Sequence, residues 1–208
     1  MNFDLSLYLV TDRSLSGGRS LEWIIEQAIR GGITMVQLRE KNCNTREFTE
    51  LATKLRQKLN CRNIPLIIND RVDVALASGA DGLHIGQSDM PYAIARRLIG
   101  PDKIIGLSVE NMQEVKEANQ LDVDYIGISP VFSTNTKTDT CQPFGIDGIR
   151  EVAALTKHKT VAIGGISAAN ARQIVEAGAD GIAVVSAIIS AGDPEDAARQ
   201  LKKQIQID

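Results

Sequence analysis

The sequence has few cysteines and no excess of basic residues. Its three cysteines, Cys43, Cys61 and Cys141, are odd in number and form no C-x-x-C pair. This pattern argues against a disulfide framework and against a zinc site, and it is typical of a reducing compartment. The formal net charge of the 208 residues is −3. Because nucleic-acid-binding proteins usually carry a basic excess, we expect no nucleic-acid partner.

Long hydrophobic runs are also missing. No stretch approaches the roughly 18 apolar residues that a membrane span requires, so we expect no membrane partner. The first residues, Met-Asn-Phe-Asp-Leu, contain no basic region ahead of an apolar run, and we therefore expect no secretory signal. With the cysteine pattern, this predicts a cytoplasmic protein.

What the sequence does contain is a regular alternation of short β-branched runs and amphipathic segments. Several runs are apolar at nearly every position, as in parallel strands covered on both faces. An open doubly wound sheet usually has five or six strands, whereas eight evenly spaced units favour a closed α/β barrel, the (β/α)8 TIM barrel. Such a barrel needs at least roughly 200 residues, so residues 1–208 are predicted to form one domain without large insertions. The predicted strands are Leu7–Thr11, Met35–Arg39, Leu66–Asn69, Gly82–Gly86, Ile104–Ser108, Tyr125–Ser129, Val161–Gly164 and Ile182–Ser186.

The segments between the strands carry helix signals. Asn44 and Glu47 are spaced as a capping box, and Asp193-Pro194 is a cap followed by a proline suited to the first helical turn. The segment Ser78–Leu83 recurs as Ala177–Ile182. In each copy we expect the glycine to end a helix in the left-handed conformation just before a strand.

Two carboxylates follow adjacent predicted strands, at the end of the barrel where active sites lie. Asp70 and Asp89 could converge there on one hard cation, and two carboxylates with substrate phosphate oxygens and water suit magnesium. The alternative is that each caps the next helix, Asp70 with Asp73 in its first turn and Asp89 ahead of Pro91. Because cations lie on neighbouring loops, we favour the metal site over the two caps and expect Asp70 and Asp89 to bind one Mg²⁺ ion per site.

Three cations also lie on loops at this end of the predicted barrel. Arg39 and Lys41 end the second strand, and Lys137 belongs to a hydroxyl-rich loop after the sixth. Together they could offset the charge of a magnesium-bound pyrophosphate. For a single lysine, a surface ion pair such as Lys41 with Glu40 is the more usual role.

A phosphate cradle is predicted on the opposite side of the site. Gly164-Gly165 and Val185-Ser186 follow the seventh and eighth strands, whose backbone N–H groups bind phosphate in many TIM barrels. The glycines would let the backbone approach the phosphate closely. Neither histidine is expected to be a catalyst: His84 is predicted to be a hydrogen-bonded wall residue, and His158 to be exposed.

Six segments, in this order along the chain, resemble the motifs of the thiamine phosphate synthase family. The resemblance covers about Tyr8 to Ser186, and six ordered motifs are far more specific than any one of them. The segments are Gln37–Lys41, Asn69–Arg71, His84–Pro91, Gly106–Ser108, Thr134–Asp139 and Ile163–Ile166.

The resemblance implies a transferase with small-molecule substrates. It would condense 4-amino-5-hydroxymethyl-2-methylpyrimidine diphosphate with a (carboxy)thiazole ethyl phosphate, giving thiamine phosphate and pyrophosphate. By motif, the metal would be held by Asp70 and Asp89, and the catalytic residues would be Lys137, Arg39 and Ser108. The pyrimidine diphosphate would be bound by Gln37, Arg39, Lys41, Asn69, Ser108 and Lys137. The thiazole phosphate would be bound by Thr134, Asn135, Thr136, Gly165, Val185 and Ser186.

The residues fit this chemistry without an obvious general base. Cations and a metal can stabilise a departing pyrophosphate while the site excludes water and aligns two substrates, which suits a dissociative route. Ser88, Ser129 and Ser133 depart from the family pattern, but none of them replaces a charged ligand. Two rivals stay open: a thiazole tautomerase-like sister barrel, and a non-catalytic barrel that binds a phosphate ligand. A homo-oligomer is also left open.

Overall fold

The computed structural model describes residues 3–133 and 142–206, and these ranges contain a closed barrel of eight parallel strands. Each strand pairs with the next one in the sequence, and β8 pairs with β1. The predicted TIM barrel is therefore confirmed. The strands are β1 (Leu7–Val10), β2 (Met35–Leu38), β3 (Leu66–Asn69), β4 (Gly82–Ile85), β5 (Ile104–Val109), β6 (Tyr125–Ile128), β7 (Lys159–Ile163) and β8 (Gly181–Val184).

Helices follow the strands and form the outer layer. A 3-10 turn at Arg13–Leu15 precedes the first of them. The helices are α1 (Leu21–Arg30), α2 (Thr45–Asn60), α3 (Val72–Ser78), α4 (Tyr92–Ile99), α5 (Met112–Ala118), α6 (Gly145–Leu155), α7 (Ala171–Glu176), α8 (Ser186–Ile189) and α9 (Pro194–Ile205).

Predicted helix caps are confirmed, whereas most predicted strand ends are one or two residues off. The side chain of Asn44 accepts the N–H of Glu47 at 3.0 Å, and that of Asp193 accepts the N–H of Asp196 at 3.0 Å. Several predicted strands, such as Leu7–Thr11 and Ile182–Ser186, run too far, because their last polar residues already turn into the loops of the site.

The apolar core has two layers. One fills the space between the strands and the surrounding helices, and includes Leu9, Val36, Phe48 and Ile126. The other lies inside the barrel, where Tyr8, Met35, Ile67, Ile104 and Tyr125 are buried. A filled interior means that the barrel is not a pore, and ligands must bind at one end of it.

The repeated Asp-Gly pair has a structural role at the end of the barrel opposite the predicted site. Asp81 Oδ2 accepts the backbone N–H of Leu66 at 2.9 Å, and Asp180 Oδ2 accepts that of Thr160 at 2.8 Å. At Gly82 a Cβ atom would collide with the carbonyl oxygen of the adjacent strand. In each copy of the repeat, the aspartate side chain therefore links the N-terminal ends of two neighbouring strands. The preceding glycine, such as Gly79 with φ 67°, makes the left-handed turn that was predicted.

Candidate active site

A cavity of about 490 Å³ opens at the C-terminal ends of the strands. It brings together ten of the predicted site residues, from loops that are far apart in the sequence. They are Gln37, Arg39, Lys41, Asn69, Asp70, Asp89, Ser108, Gly165, Val185 and Ser186. The other four, Thr134, Asn135, Thr136 and Lys137, lie outside the described residues. The roles given to all fourteen stay predictions.

Asp70 and Asp89 face each other in this cavity, and their side chains lie within hydrogen-bonding reach of one another. Asp89 Oδ2 accepts the backbone N–H of Gly86 at 2.7 Å, which folds its own loop. Neither residue caps the following helix, because α3 and α4 begin after Arg71 and Pro91 and have no side-chain cap hydrogen bond. The capping alternative is thus wrong. Asp70 also has φ 62°, a costly conformation for a residue with a side chain, and such residues cluster at functional sites.

The two carboxyl groups perturb each other's ionisation. Burial raises the pKa of Asp89, and its hydrogen bond and charge interaction with Asp70 raise it further. Burial also pushes the pKa of Asp70 upward, but hydrogen bonds from Lys41 and Asp89 outweigh this and hold that pKa below its usual value. Two adjacent carboxylates repel each other unless a cation lies near both. The pair therefore fits a divalent cation.

The two described cations of the site, Arg39 and Lys41, are held by carboxylates. Lys41 Nζ lies 2.6 Å from Asp70 Oδ2, and Arg39 Nη1 lies 3.0 Å from Asp12 Oδ2. The alternative pairing of Lys41 with Glu40 is wrong, because Glu40 instead binds Arg13 at 3.0 Å. Among the described residues, no group of three or more His, Cys, Asp or Glu side chains could hold a metal ion. A magnesium ion here would need substrate oxygens and water as further ligands, as this ion usually has.

The predicted phosphate cradle lies across the cavity. Gly164 and Gly165 have φ values of 107° and 64°, and Val185 leads into the short helix α8, which begins at Ser186. At the two glycines a Cβ atom would lie 2.8 Å from side-chain atoms of Pro130 and Phe132. Glycine is therefore needed for the turn and for packing against the loop after β6, and the second of these reasons was not predicted from the sequence.

A hydrogen-bonded chain beneath the cavity was not predicted. Tyr8 and Tyr125 lie inside the barrel, with their hydroxyl oxygens 2.9 Å apart. Tyr125 also contacts His84 Nδ1 at 2.9 Å, and His84 Nε2 lies 2.9 Å from Ser108 Oγ. The prediction of His84 as a hydrogen-bonded wall residue is thus confirmed. The sequence did contain one indication of this arrangement. Gly106 lies on the strand between His84 and Tyr125, and the space left by its missing side chain is filled by the Tyr125 ring.

His158 and Gln87 each make a hydrogen bond to a backbone carbonyl oxygen. His158 was predicted to be exposed, but it is half-buried, with its Nε2 atom 2.9 Å from the carbonyl oxygen of Ala118. Gln87, on the loop of Asp89, donates to the carbonyl oxygen of Ser108 at 2.7 Å, which joins that loop to β5.

Across residues 3–133 and 142–206, no helix has the length and hydropathy needed to span a membrane.

The sequence is similar to those of known proteins over nearly its whole length. The family model described as thiamine monophosphate synthase matches residues 7–188. The chain belongs to this family. A thiamine-phosphate synthase of Albidiferax ferrireducens is 53% identical over 201 residues, 97% of this chain and 92% of the relative. One of Chloroflexus aurantiacus is 51% identical over 204 residues, 98% and 94% of the two chains.

A solved structure extends the likeness to three dimensions. The thiamine phosphate pyrophosphorylase of Pyrococcus furiosus superposes with a TM-score of 0.89 at 40% identity, over 97% of this chain and 95% of that one. As a member of the thiamine monophosphate synthase family, the chain is an enzyme, a transferase of thiamine biosynthesis.

Proposed function

We propose that this enzyme condenses 4-amino-5-hydroxymethyl-2-methylpyrimidine diphosphate with a (carboxy)thiazole ethyl phosphate, releasing pyrophosphate and forming thiamine phosphate. One observation carries the proposal. A single cavity holds a paired-carboxylate cluster with cations on one side and a glycine-lined loop with Ser186 on the other. Two phosphorylated substrates could therefore bind side by side.

The two sides differ in the charge they can accommodate. Asp70, Asp89, Lys41 and Arg39 suit a diphosphate that arrives with a divalent cation, because the carboxylates bind the cation and the two basic groups bind the phosphate oxygens. Gln37 and Asn69 line the wall of the same cavity, where they can orient the pyrimidine. The turn at Gly165 and the start of α8 suit a phosphate monoester, as at this location in other TIM barrels.

The proposed mechanism is dissociative. A bound Mg²⁺ ion would supply charge neutralisation for the departing pyrophosphate. Arg39 and Ser108 would stabilise the negative charge that grows on the leaving oxygen, and Lys137, outside the described residues, is proposed for the same task. The apolar side chains that line the cavity, such as Val10, Val161 and Ala183, would help to exclude water from the pyrimidine cation until the thiazole nitrogen attacks it. No protein base is required for that attack.

An assay with the purified chain tests this function. With both substrates and magnesium, we expect thiamine phosphate and pyrophosphate to appear in equal amounts, and chelation of the metal should stop both. A thiazole tautomerase would interconvert thiazole tautomers without releasing pyrophosphate. Loss of pyrophosphate release with tautomerisation retained would therefore overturn the proposal. The cytoplasmic location and the single domain over residues 1–208 remain predictions, and a homo-oligomer is still left open.

A further inference from the structure

The hydrogen-bonded chain inside the barrel connects Gln37 to Ser108 through three intermediate side chains. Gln37 Nε2 donates to the Tyr8 hydroxyl at 2.9 Å. From there the chain continues through Tyr125 and His84 to Ser108, in three further contacts of 2.9 Å each. Tyr8 and Tyr125 are 1% and 0% exposed, so their side chains are almost completely shielded from solvent.

The surrounding residues hold this arrangement in place. The His84 and Tyr125 rings stack with centroids 5.6 Å apart, and Tyr8 meets Tyr125 edge-on at 5.9 Å. Gly106 pairs with both His84 and Tyr125 in the sheet, and any Cβ atom there would collide with the Tyr125 ring. No described side chain has a buried nitrogen or oxygen atom without a hydrogen-bond partner. The hydrogen-bonded chain of side chains is therefore a well-defined part of the packed interior.

The first donor sets the direction of every later bond. An amide N–H can only donate, so Tyr8 accepts from Gln37 and must give its own proton to Tyr125, since a buried unpaired donor is costly. Tyr125 then donates to His84 Nδ1. Burial raises the pKa of both phenols, and they remain protonated donors over the working pH range. A neutral imidazole that accepts at Nδ1 carries its proton on Nε2.

We propose that this relay makes His84 a positioning residue, which holds the Nε2–H tautomer and, by donating to Ser108 Oγ, turns the serine hydroxyl proton into the cavity. Ser108 then acts as a hydrogen-bond donor to an acceptor atom of the pyrimidine diphosphate. This last step rests on the proposed function, whereas the tautomer does not. The opposite direction would need the Gln37 carbonyl to accept from Tyr8, and it would place the proton on Nδ1.

Nitrogen-15 NMR of the imidazole rings tests the tautomer without any substrate. The chain has two histidines, and His158→Asn assigns their signals by removing one set. His158 is an internal reference, because its Nε2 faces a backbone carbonyl oxygen that can only accept. We expect His84 to show a protonated Nε2 and an unprotonated Nδ1. A proton on Nδ1, alone or on a doubly protonated ring, would overturn the inference even if the enzyme is fully active.

Tyr125→Phe tests the relay, because it removes the donor to His84 and keeps the ring. We expect a mixture of tautomers and a fall on the order of 10-fold in kcat/KM for the pyrimidine diphosphate, as when an outer hydrogen bond that orients a site residue is lost. The KM for the thiazole phosphate should not change. Tyr92→Phe is the matched control: it removes a phenol bond to the Asp122 carbonyl on the outer layer, and both readouts should stay at wild-type values.

A double-mutant cycle links the relay to Ser108. In a Ser108→Ala background, Tyr125→Phe should cause no further loss, since the group on which the relay acts is gone. Additive losses, or an unchanged His84 tautomer in Tyr125→Phe, would overturn the relay. If Tyr125→Phe does not fold, Tyr8→Phe interrupts the same chain one link earlier. If His84 has the expected tautomer but the protein releases no pyrophosphate, the proposed function is refuted and the inference about His84 stands.

Discussion

Asp89 has two contacts that can be separated by mutation. One oxygen accepts the Gly86 N–H, and the carboxyl group also faces Asp70. Asp89→Asn keeps an oxygen for the loop but removes the charge that a cation needs. We expect activity to fall on the order of 10² to 10³-fold, comparable with the loss of one charge partner in the transition state. Steady-state rates at saturating magnesium check this, with exposed Asp102→Asn as the control. Normal activity would refute the metal assignment.

Lys137 is a second residue whose role can be tested by mutation. It lies outside the described residues, and its proposed role comes from the resemblance to the family. If it offsets charge on the leaving pyrophosphate, the interaction strengthens in the transition state and affects kcat more than affinity. Lys137→Ala should therefore lower the single-turnover rate more than it weakens diphosphate binding, and Lys137→Arg should restore only part of it. Exposed Lys157→Ala serves as the control. If the rate of the chemical step is unchanged and only diphosphate binding is weaker, Lys137 serves only to bind the diphosphate.

Helix α8 is the element on which the predicted thiazole phosphate site depends. Ser186→Ala should mainly raise the KM for the thiazole phosphate, because it removes a donor that is used throughout the reaction. The KM for the pyrimidine diphosphate should change little. Ser190→Ala, at the other end of the same helix, is the matched control. Equal effects of Ser186→Ala on both substrates would contradict two separate binding sides.

The strand ends opposite the active site contribute to stability instead. Asp81 accepts the N–H of Leu66 and lies 2.9 Å from Arg56. Asp81→Ala leaves a buried backbone donor without its acceptor, so the free energy of unfolding should fall by about 1–3 kcal/mol. Denaturant unfolding measures this. Asp102→Ala, in an exposed turn, should stay within about 0.5 kcal/mol of wild type. Activity per folded molecule should not change, and a large loss of activity in Asp81→Ala would contradict this division.

For the whole molecule, a bound metal should appear as added thermal stability. Magnesium alone should raise the Tm, since a ligand that binds only the folded chain stabilises it. Because the pKa of Asp89 is raised, its carboxylate is lost early as the pH falls, and the Tm gain should shrink between neutral and acidic pH. Asp89→Asn should remove most of the gain and its pH dependence, and Asp102→Asn should keep both. An equal gain in Asp89→Asn would place the metal elsewhere.

Much of the molecule followed from sequence patterns with a simple physical origin. The barrel was predictable because strands buried on both faces and amphipathic helices alternate, and the location of the site because polar residues gather at one end of every strand. Whether Asp89 caps α4 or folds back onto Gly86 depends on side-chain rotamers, which no spacing reveals. Tyr8 and Tyr125 look like ordinary core residues in sequence. Their contact depends on strand register and on the space that Gly106 leaves.

The ion pair between Lys41 and Asp70 has a consequence for the order in which ligands arrive. Lys41 Nζ lies 2.6 Å from Asp70 Oδ2, so a cation that takes this oxygen as a ligand would compete with the ammonium for it. Arrival of magnesium would therefore release Lys41, which becomes free to bind the diphosphate. Metal and diphosphate should then bind with positive cooperativity, each increasing the affinity for the other by the same factor. Until a cation binds, the ammonium of Lys41 would neutralise the charge of this carboxylate.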